Sequence, residues 1–252
     1  MISSKDDIKI YMIRLKIKRC DRPQAESYWE EFDIPFDSPT TLIGALRALQ
    51  KHPYNSNGKA VVPVAWDDDC AAVCSGACTV LINGRAHSAC DFAVAPHSGV
   101  VRVEPLSKFP VVRDLIVNRA KVFAALQHVQ SWVSLDGSFD IGPGPRYADA
   151  ERRAAAAFAV CTSCACCLEA CPQYFEKSNF LGAAAINRVH FLNQHPQSKK
   201  QTPERLEAIL DDTGLAGCDN AQNCVRACPQ SIPLTTASAK MQRLATKRVL
   251  NL

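Results

Sequence analysis

The 252-residue sequence contains no apolar run long enough to cross a bilayer; "AAAAFAV" at 154–160 is among the longest and falls far short. Its opening residues do not read as a secretory signal. "MISSKDDIKIYMIRLKIKRC" alternates apolar and charged residues, with no apolar central region and no small-residue cleavage site. A soluble chain that stays in the cytosol is expected. A strong charge of either sign is missing too. The net charge is +4 and the lysines and arginines are scattered, so nucleic-acid binding gains no support. The histidines, His52, His87, His97, His128, His190 and His195, form no pair at a metal-binding spacing and read as surface or hydrogen-bonded side chains.

Cysteine, in contrast, is abundant: there are 13. In a reducing compartment such a number points to metal rather than to disulfides. Cys20 stands alone at the end of a predicted strand and reads as a small core residue. The others form three groups, at Cys70, Cys74, Cys78 and Cys90, at Cys161, Cys164, Cys166, Cys167 and Cys171, and at Cys218, Cys224 and Cys228.

The first third predicts an α+β unit. "IKIYMIRLKIKRC" alternates as a half-buried strand does, and "YWEEFDIPF" is its candidate partner. "TTLIGALRALQKH" places Leu42, Ala45, Leu46 and Leu49 at helical spacing behind an N-cap at Thr40 or Thr41. "ACTVLING" and "GVVRVEPL" add strands. A boundary is expected at Pro110, giving domains 1–110 and 111–252. Beyond it "VVRDLIVNRAKVFAALQHVQSWV" and "TPERLEAILDD" read as helical, "GPGPR" at 142–146 as a spacer, and "VHFLNQHP" as the end of a helix.

"CTSCACCLEACP" contains C-x2-C-x2-C-x3-C-P at Cys161, Cys164, Cys167, Cys171 and Pro172. This is the bacterial ferredoxin run, in which three cysteines hold one iron–sulfur cluster and the fourth reaches to a second. "CDNAQNCVRACP" follows the same template, but Ala221 stands at the second position and cannot bind iron. Under the crossing rule one cluster receives Cys161, Cys164, Cys167 and Cys228, and the other receives Cys171, Cys218 and Cys224. Four thiolates suit a [4Fe–4S] centre and three suit a [3Fe–4S] centre. The alternative is a second [4Fe–4S] centre completed by water or another side chain. Zinc sites use paired C-x2-C units and do not call for the Cys-Pro endings.

"CAAVCSGAC" asks for a different centre. Plant-type [2Fe–2S] ferredoxins use C-x4-C-x2-C and a distant fourth cysteine. Here Cys70, Cys78 and Cys90 fit, while Cys74 sits one residue early and Ser75 holds the usual place. Thiolate is the softer ligand and favours Cys74, with Ser75 as the alternative. Backbone amides around Ala72–Ala77 and Ser163–Ala165 are candidate donors to cluster sulfurs.

This layout resembles the iron–sulfur subunit of succinate dehydrogenase and fumarate reductase over essentially the whole chain. "FPVVRDL", "DGSFDIGPGPR", "ERLEAILDDTGLAGCDNAQNC" and "CPQSIPLT" look most like its Bacillus-type branch. The resemblance implies a plant-type ferredoxin (β-grasp) domain followed by an α-helical, bacterial-ferredoxin-like domain. It implies ligands at the positions above, with Cys166 a nonligating neighbour. It also implies a flavoprotein partner that passes electrons from FAD through [2Fe–2S], [4Fe–4S] and [3Fe–4S] centres to quinone, menaquinone in this branch. A haem-bearing anchor would hold the subunit on the cytoplasmic side of the membrane. Other branches carry a tryptophan and a histidine at a quinone pocket; Phe175, Glu176 and Asp219 occupy those regions here, so the resemblance supplies no quinone ligand. Fumarate reduction is the alternative direction for the same plan.

Overall fold

The structure is a computed structural model that describes residues 11–36, 38–67, 75–94, 99–134 and 148–250. The chain divides into two compact units, Met1–Asn118 and Arg119–Leu252.

In the first unit, the alternation of β1 (Tyr11–Arg19) turns Ile13, Leu15, Ile17 and Arg19 inward. β2 (Tyr28–Phe36) pairs antiparallel with it from Tyr11↔Phe36 to Arg19↔Tyr28. β3 (Thr40–Thr41) leads into α1 (Leu42–Lys51), and the Thr41 side chain accepts from the Gly44 amide, so Thr41 is the N-cap. β4 (Thr79–Ile82), β5 (Arg85–Ser88), β6 (Ala93–Val94) and β7 (Val100–Glu104) follow. The main sheet runs β2-β1-β7-β4-β5, with β7 parallel to β1 and the other pairs antiparallel. Leu15, Ile17, Phe32, Leu42, Leu46, Ile82 and Val103 share one core. Each such side chain contributes roughly 1.5–3 kcal/mol on burial.

The helix predicted throughout "VVRDLIVNRAKVFAALQHVQSWV" is not what forms. β8 (Val111–Arg113) and β9 (Ile116–Val117) make a hairpin, and helix α2 covers only Ala120–His128. β-branched pairs flank Asp114, which adopts φ +46°. Its buried carboxylate accepts from Arg19 Nε at 2.9 Å, the Cys20 amide at 3.1 Å and the Ala65 amide at 2.8 Å. These bonds hold the hairpin to β1, which carries the first compact unit past Pro110 to Asn118.

Among the described residues the second unit has helices and no strand. α2 is followed by α3 (Asp149–Ala159), α4 (Cys166–Glu169), α5 (Ala183–Asn193), a 3-10 turn (Pro196–Gln201), α6 (Thr202–Glu207), α7 (Asn223–Ala227) and α8 (Leu234–Val249). α5 is the hub. Ala183, Ala184, Ala185, Ile186, Asn187, Val189, His190 and Leu192 are all buried, so it faces protein on nearly every side. Its packing partners include α3, α4 and α8. It ends at Asn193, before Pro196, as "VHFLNQHP" suggests. The helix expected over "TPERLEAILDD" is shorter, because turns begin after Glu207. Buried Arg205 donates to the backbone oxygens of Gln130, Ser198 and Trp132 at 3.1, 3.1 and 2.6 Å, tying the segment after α2 to α6. The "GPGPR" spacer and His97 lie outside the described residues. Among the described residues no helix is long and apolar enough to cross a membrane.

Candidate metal centres

The two cysteine runs of the second unit fold alike. Ser163 (φ +54°) and Ala165 (φ +71°) are left-handed in the first run, and Asn220 (+54°) and Gln222 (+61°) occupy the matching places in the second. Such residues cost roughly 1–3 kcal/mol each outside glycine and persist where the surroundings fix them. Alternating right- and left-handed residues turn successive amides into a concave, anion-accepting nest. Each loop enters a short helix, α4 or α7, and each run closes with Cys-Pro.

The thiols sort into two cavities. Cys161, Cys164 and Cys167 line one, joined by Cys228 from the other run and closed by Ala184, Ile232 and Leu234; its empty volume is about 350 Å³. Cys171, Cys218 and Cys224 line the second, of about 450 Å³, with Ala221, Phe180 and Ala183 in its wall. Each run thus lends its last cysteine to the other's cavity. Ala183 and Ala184, the first residues of α5, border one cavity each. At the position where the first cavity has the thiol of Cys164, the second has only the methyl group of Ala221.

The donor set fits a polynuclear cluster. Four thiols line the first cavity and three the second. A tetrahedral zinc would need sulfur about 2.3 Å from one point, whereas these thiols ring a space. Burial pushes the Cys161, Cys167 and Cys224 thiols up, so they ionise readily only when a cation joins them. The Ser163 amide donates toward the Cys161 sulfur and the Val225 amide toward that of Cys224, opposing the rise. Cys164 goes the other way, down to about 6, chiefly because the Cys166 side chain hydrogen-bonds to it. Cys166 is itself fully buried. Two arginines also meet this loop: Arg119 donates to the Ser163 carbonyl and Arg188 to that of Cys161. No cysteine spacing announces either of them.

In the first unit, Cys78 is buried at the start of β4 and Cys90 packs against the same core. The Ala89 amide donates to the Cys78 carbonyl at 3.1 Å, bringing the two segments together. Ser75 Oγ accepts from the Ala77 amide at 3.2 Å. Cys70, Ala72 and Cys74 lie outside the described residues, as does the rest of the loop over 68–74. Cys20 is buried apart from these groups, its thiol donating to the Arg22 carbonyl at 3.1 Å, in keeping with a core residue. Asp219 accepts from the Gln173 side chain beside the second cavity, and Phe175 is exposed.

Two family models match this chain. A 2Fe-2S iron-sulfur cluster binding domain matches residues 14–124, and a 4Fe-4S dicluster domain matches residues 157–232. The succinate dehydrogenase iron-sulfur subunit of Bacillus subtilis is 41% identical over 92% of this chain and 91% of its own length. The fumarate reductase iron-sulfur subunit of Wolinella succinogenes is 28% identical over 92% of this chain and 96% of its own length. Among solved structures, a chain of the Mycobacterium smegmatis Sdh1 complex in the apo form superposes with a TM-score of 0.73 at 22% identity, covering 95% of this chain and 98% of that one.

Proposed function

Because this chain belongs to the succinate dehydrogenase iron–sulfur subunit family, we propose that it is the electron-transfer subunit of a respiratory succinate:quinone oxidoreductase. The exchange of Cys228 and Cys171 between two cavities, one of which carries Ala221 in place of a fourth thiol, is the observation that carries the reading. Cys161, Cys164, Cys167 and Cys228 would hold a [4Fe–4S] centre, and Cys171, Cys218 and Cys224 a [3Fe–4S] centre. Cys70, Cys78 and Cys90 would hold a [2Fe–2S] centre with Cys74, or Ser75, as the fourth ligand, on a β-grasp scaffold ahead of a helical domain. When bound, these centres supply one-electron transfer.

The chain's own part is to bind, shield and orient. Ile232 and Leu234 give the first cavity apolar walls, and Phe180 lines the second. Amides of the left-handed loops and the Cys166 thiol would donate to sulfur, which favours the reduced form. This chain would hold no dicarboxylate substrate; succinate would be oxidised on a flavoprotein partner. A haem-bearing membrane anchor would take the electrons to quinone, menaquinone by likeness to the Bacillus branch, and hold the subunit on the cytoplasmic face. The 41% identity to a succinate dehydrogenase subunit, against 28% to a fumarate reductase subunit, favours succinate oxidation.

Low-temperature EPR of the anaerobic complex tests this. A near-isotropic signal in the oxidised state that vanishes on reduction, with a rhombic [2Fe–2S] signal appearing on mild reduction, is the expected result. An EPR-silent oxidised state, followed only by coupled [4Fe–4S] signals on reduction, would overturn the ligand count.

A further inference from the structure

The first cavity of the second unit has two cationic neighbours that no ligand motif explains. Arg188, on α5, donates from Nη2 to the backbone oxygen of Cys161 at 3.5 Å, and its Nε is buried with no hydrogen-bond partner among the described residues. Arg119, the residue before α2, donates from Nη2 to the backbone oxygen of Ser163. One guanidinium therefore sits on a ligand residue's own peptide and the other on the peptide that immediately precedes Cys164. They come from separate elements, and each brings a positive charge to the loop that lines the cavity. Among the described residues no Asp or Glu lines that cavity to offset it.

A cube held by four thiolates carries negative charge that increases by one on reduction. Fixed cations nearby stabilise the reduced form more than the oxidised form, and burial weakens the screening between them. We propose that Arg119 and Arg188 form an electrostatic pair that raises the midpoint potential of the [4Fe–4S] centre without ligating it. The inference rests on the ligand set proposed above. Neither touches substrate or ligates iron, and each acts on the cluster by its charge.

The test is a redox titration of the assembled complex, followed by low-temperature EPR, with Arg119→Gln, Arg188→Gln and both together. At roughly 10 Å and an effective dielectric near 20, removing one charge changes the reduction equilibrium on the order of tenfold, or about 59 mV for one electron. Each single variant should lower the [4Fe–4S] midpoint by about that amount and the double variant by about a hundredfold in the equilibrium. The [2Fe–2S] and [3Fe–4S] midpoints serve as internal references and should move far less. Arg119→Lys and Arg188→Lys should retain most of the wild-type potential, because they keep the charge. Arg188→Met, whose stem occupies similar space, covers the case in which the glutamine variant loses iron. An unmoved midpoint overturns the proposal, as does an equal shift of all three centres. So does a lysine variant that behaves like glutamine, which would make the arginines loop clamps. A wild-type complex with no [4Fe–4S] signal would instead overturn the ligand reading itself, and this inference with it.

Discussion

Replacing Asp114 with alanine should destabilise the first unit severely. The carboxylate is fully buried and accepts from Arg19 Nε at 2.9 Å, Arg19 Nη2 at 3.3 Å, the Cys20 amide at 3.1 Å and the Ala65 amide at 2.8 Å. Asp114→Ala leaves the Arg19 guanidinium buried with Glu30 at 2.6 Å and the Val62 carbonyl at 3.0 Å, and leaves two amides without their acceptor. Breaking one side of a buried pair costs about 3–5 kcal/mol, and each stranded amide about 1–3 kcal/mol. Glu30 offsets part of the first term and water entry part of the second, so a net loss of about 4 kcal/mol is expected. In a unit of this size that lowers the melting point by on the order of 15 °C. The consequence reaches the metal loop, because Val62 and Ala65 belong to the stretch that leads to Cys70. Visible circular dichroism of the [2Fe–2S] centre during heating reads both effects. Asp33→Ala, which removes only an exposed ion pair with Arg14, is the control and should change little. An Asp114→Ala variant that keeps its visible signal to within about 3 °C of wild type would refute the anchoring argument.

Three further outcomes follow from the second unit. Ala221→Cys should supply a fourth thiolate to the second cavity, so the oxidised-state EPR signal should fall as a further [4Fe–4S] signal appears on reduction. A variant that keeps the full oxidised signal would show that the missing thiol does not set the iron count. His190 is buried edge-on to Phe158, with ring centroids 4.5 Å apart, and burial lowers its pKa to about 4. The unfolded chain then binds a proton below about pH 6.5 that the native chain refuses, so stability is intact above that pH and falls by on the order of 2–3 kcal/mol as pH drops toward 4. His190→Leu should flatten this acid limb in a melting series, and parallel curves would refute the assignment. Gly182 adopts φ +86°, and an added Cβ would collide with Leu168 Cδ2. Gly182→Ala should therefore cost roughly 1–3 kcal/mol from the backbone alone, with earlier loss of cluster absorbance on heating. Adding Leu168→Ala should relieve the clash but not the backbone cost, and full recovery in a double-mutant cycle would contradict that division.

What was legible in the sequence was whatever is encoded locally. Alternation placed β1 and its inward face, and helical spacing placed α1 with its buried leucines, since each follows from side chains a few residues apart. The hairpin at 111–117 was not legible. Its decisive partner, Arg19, lies 95 residues from Asp114 in the chain, and a buried ion pair overrode an apolar pattern that also suits a helix. Cys166 reads only as a nonligating neighbour because the side chain it meets depends on the left-handed turn at Ala165, which the residue name does not suggest. Arg119 and Arg188 were missed for another reason: their partners are carbonyl oxygens, which every residue has.

The cysteine spacing belongs to neither class, and it explains why so much of the candidate site could be read in advance. A C-x2-C-x2-C loop fixes the path of its own backbone, but the cysteine before each proline meets its cavity only after the second run has folded beside the first. Cys228 reaches the first cavity and Cys171 the second, across the two alanines that begin α5. Neither cavity has its full set of thiols from one run alone. Small residues at 183 and 184 leave room for both cavities against one helix, and buried α5 makes their separation rigid. The duplicated Cys-Pro ending is thus a local mark of a long-range exchange. It makes the two cavities one cooperative unit, in which displacement of either run strips a thiol from both.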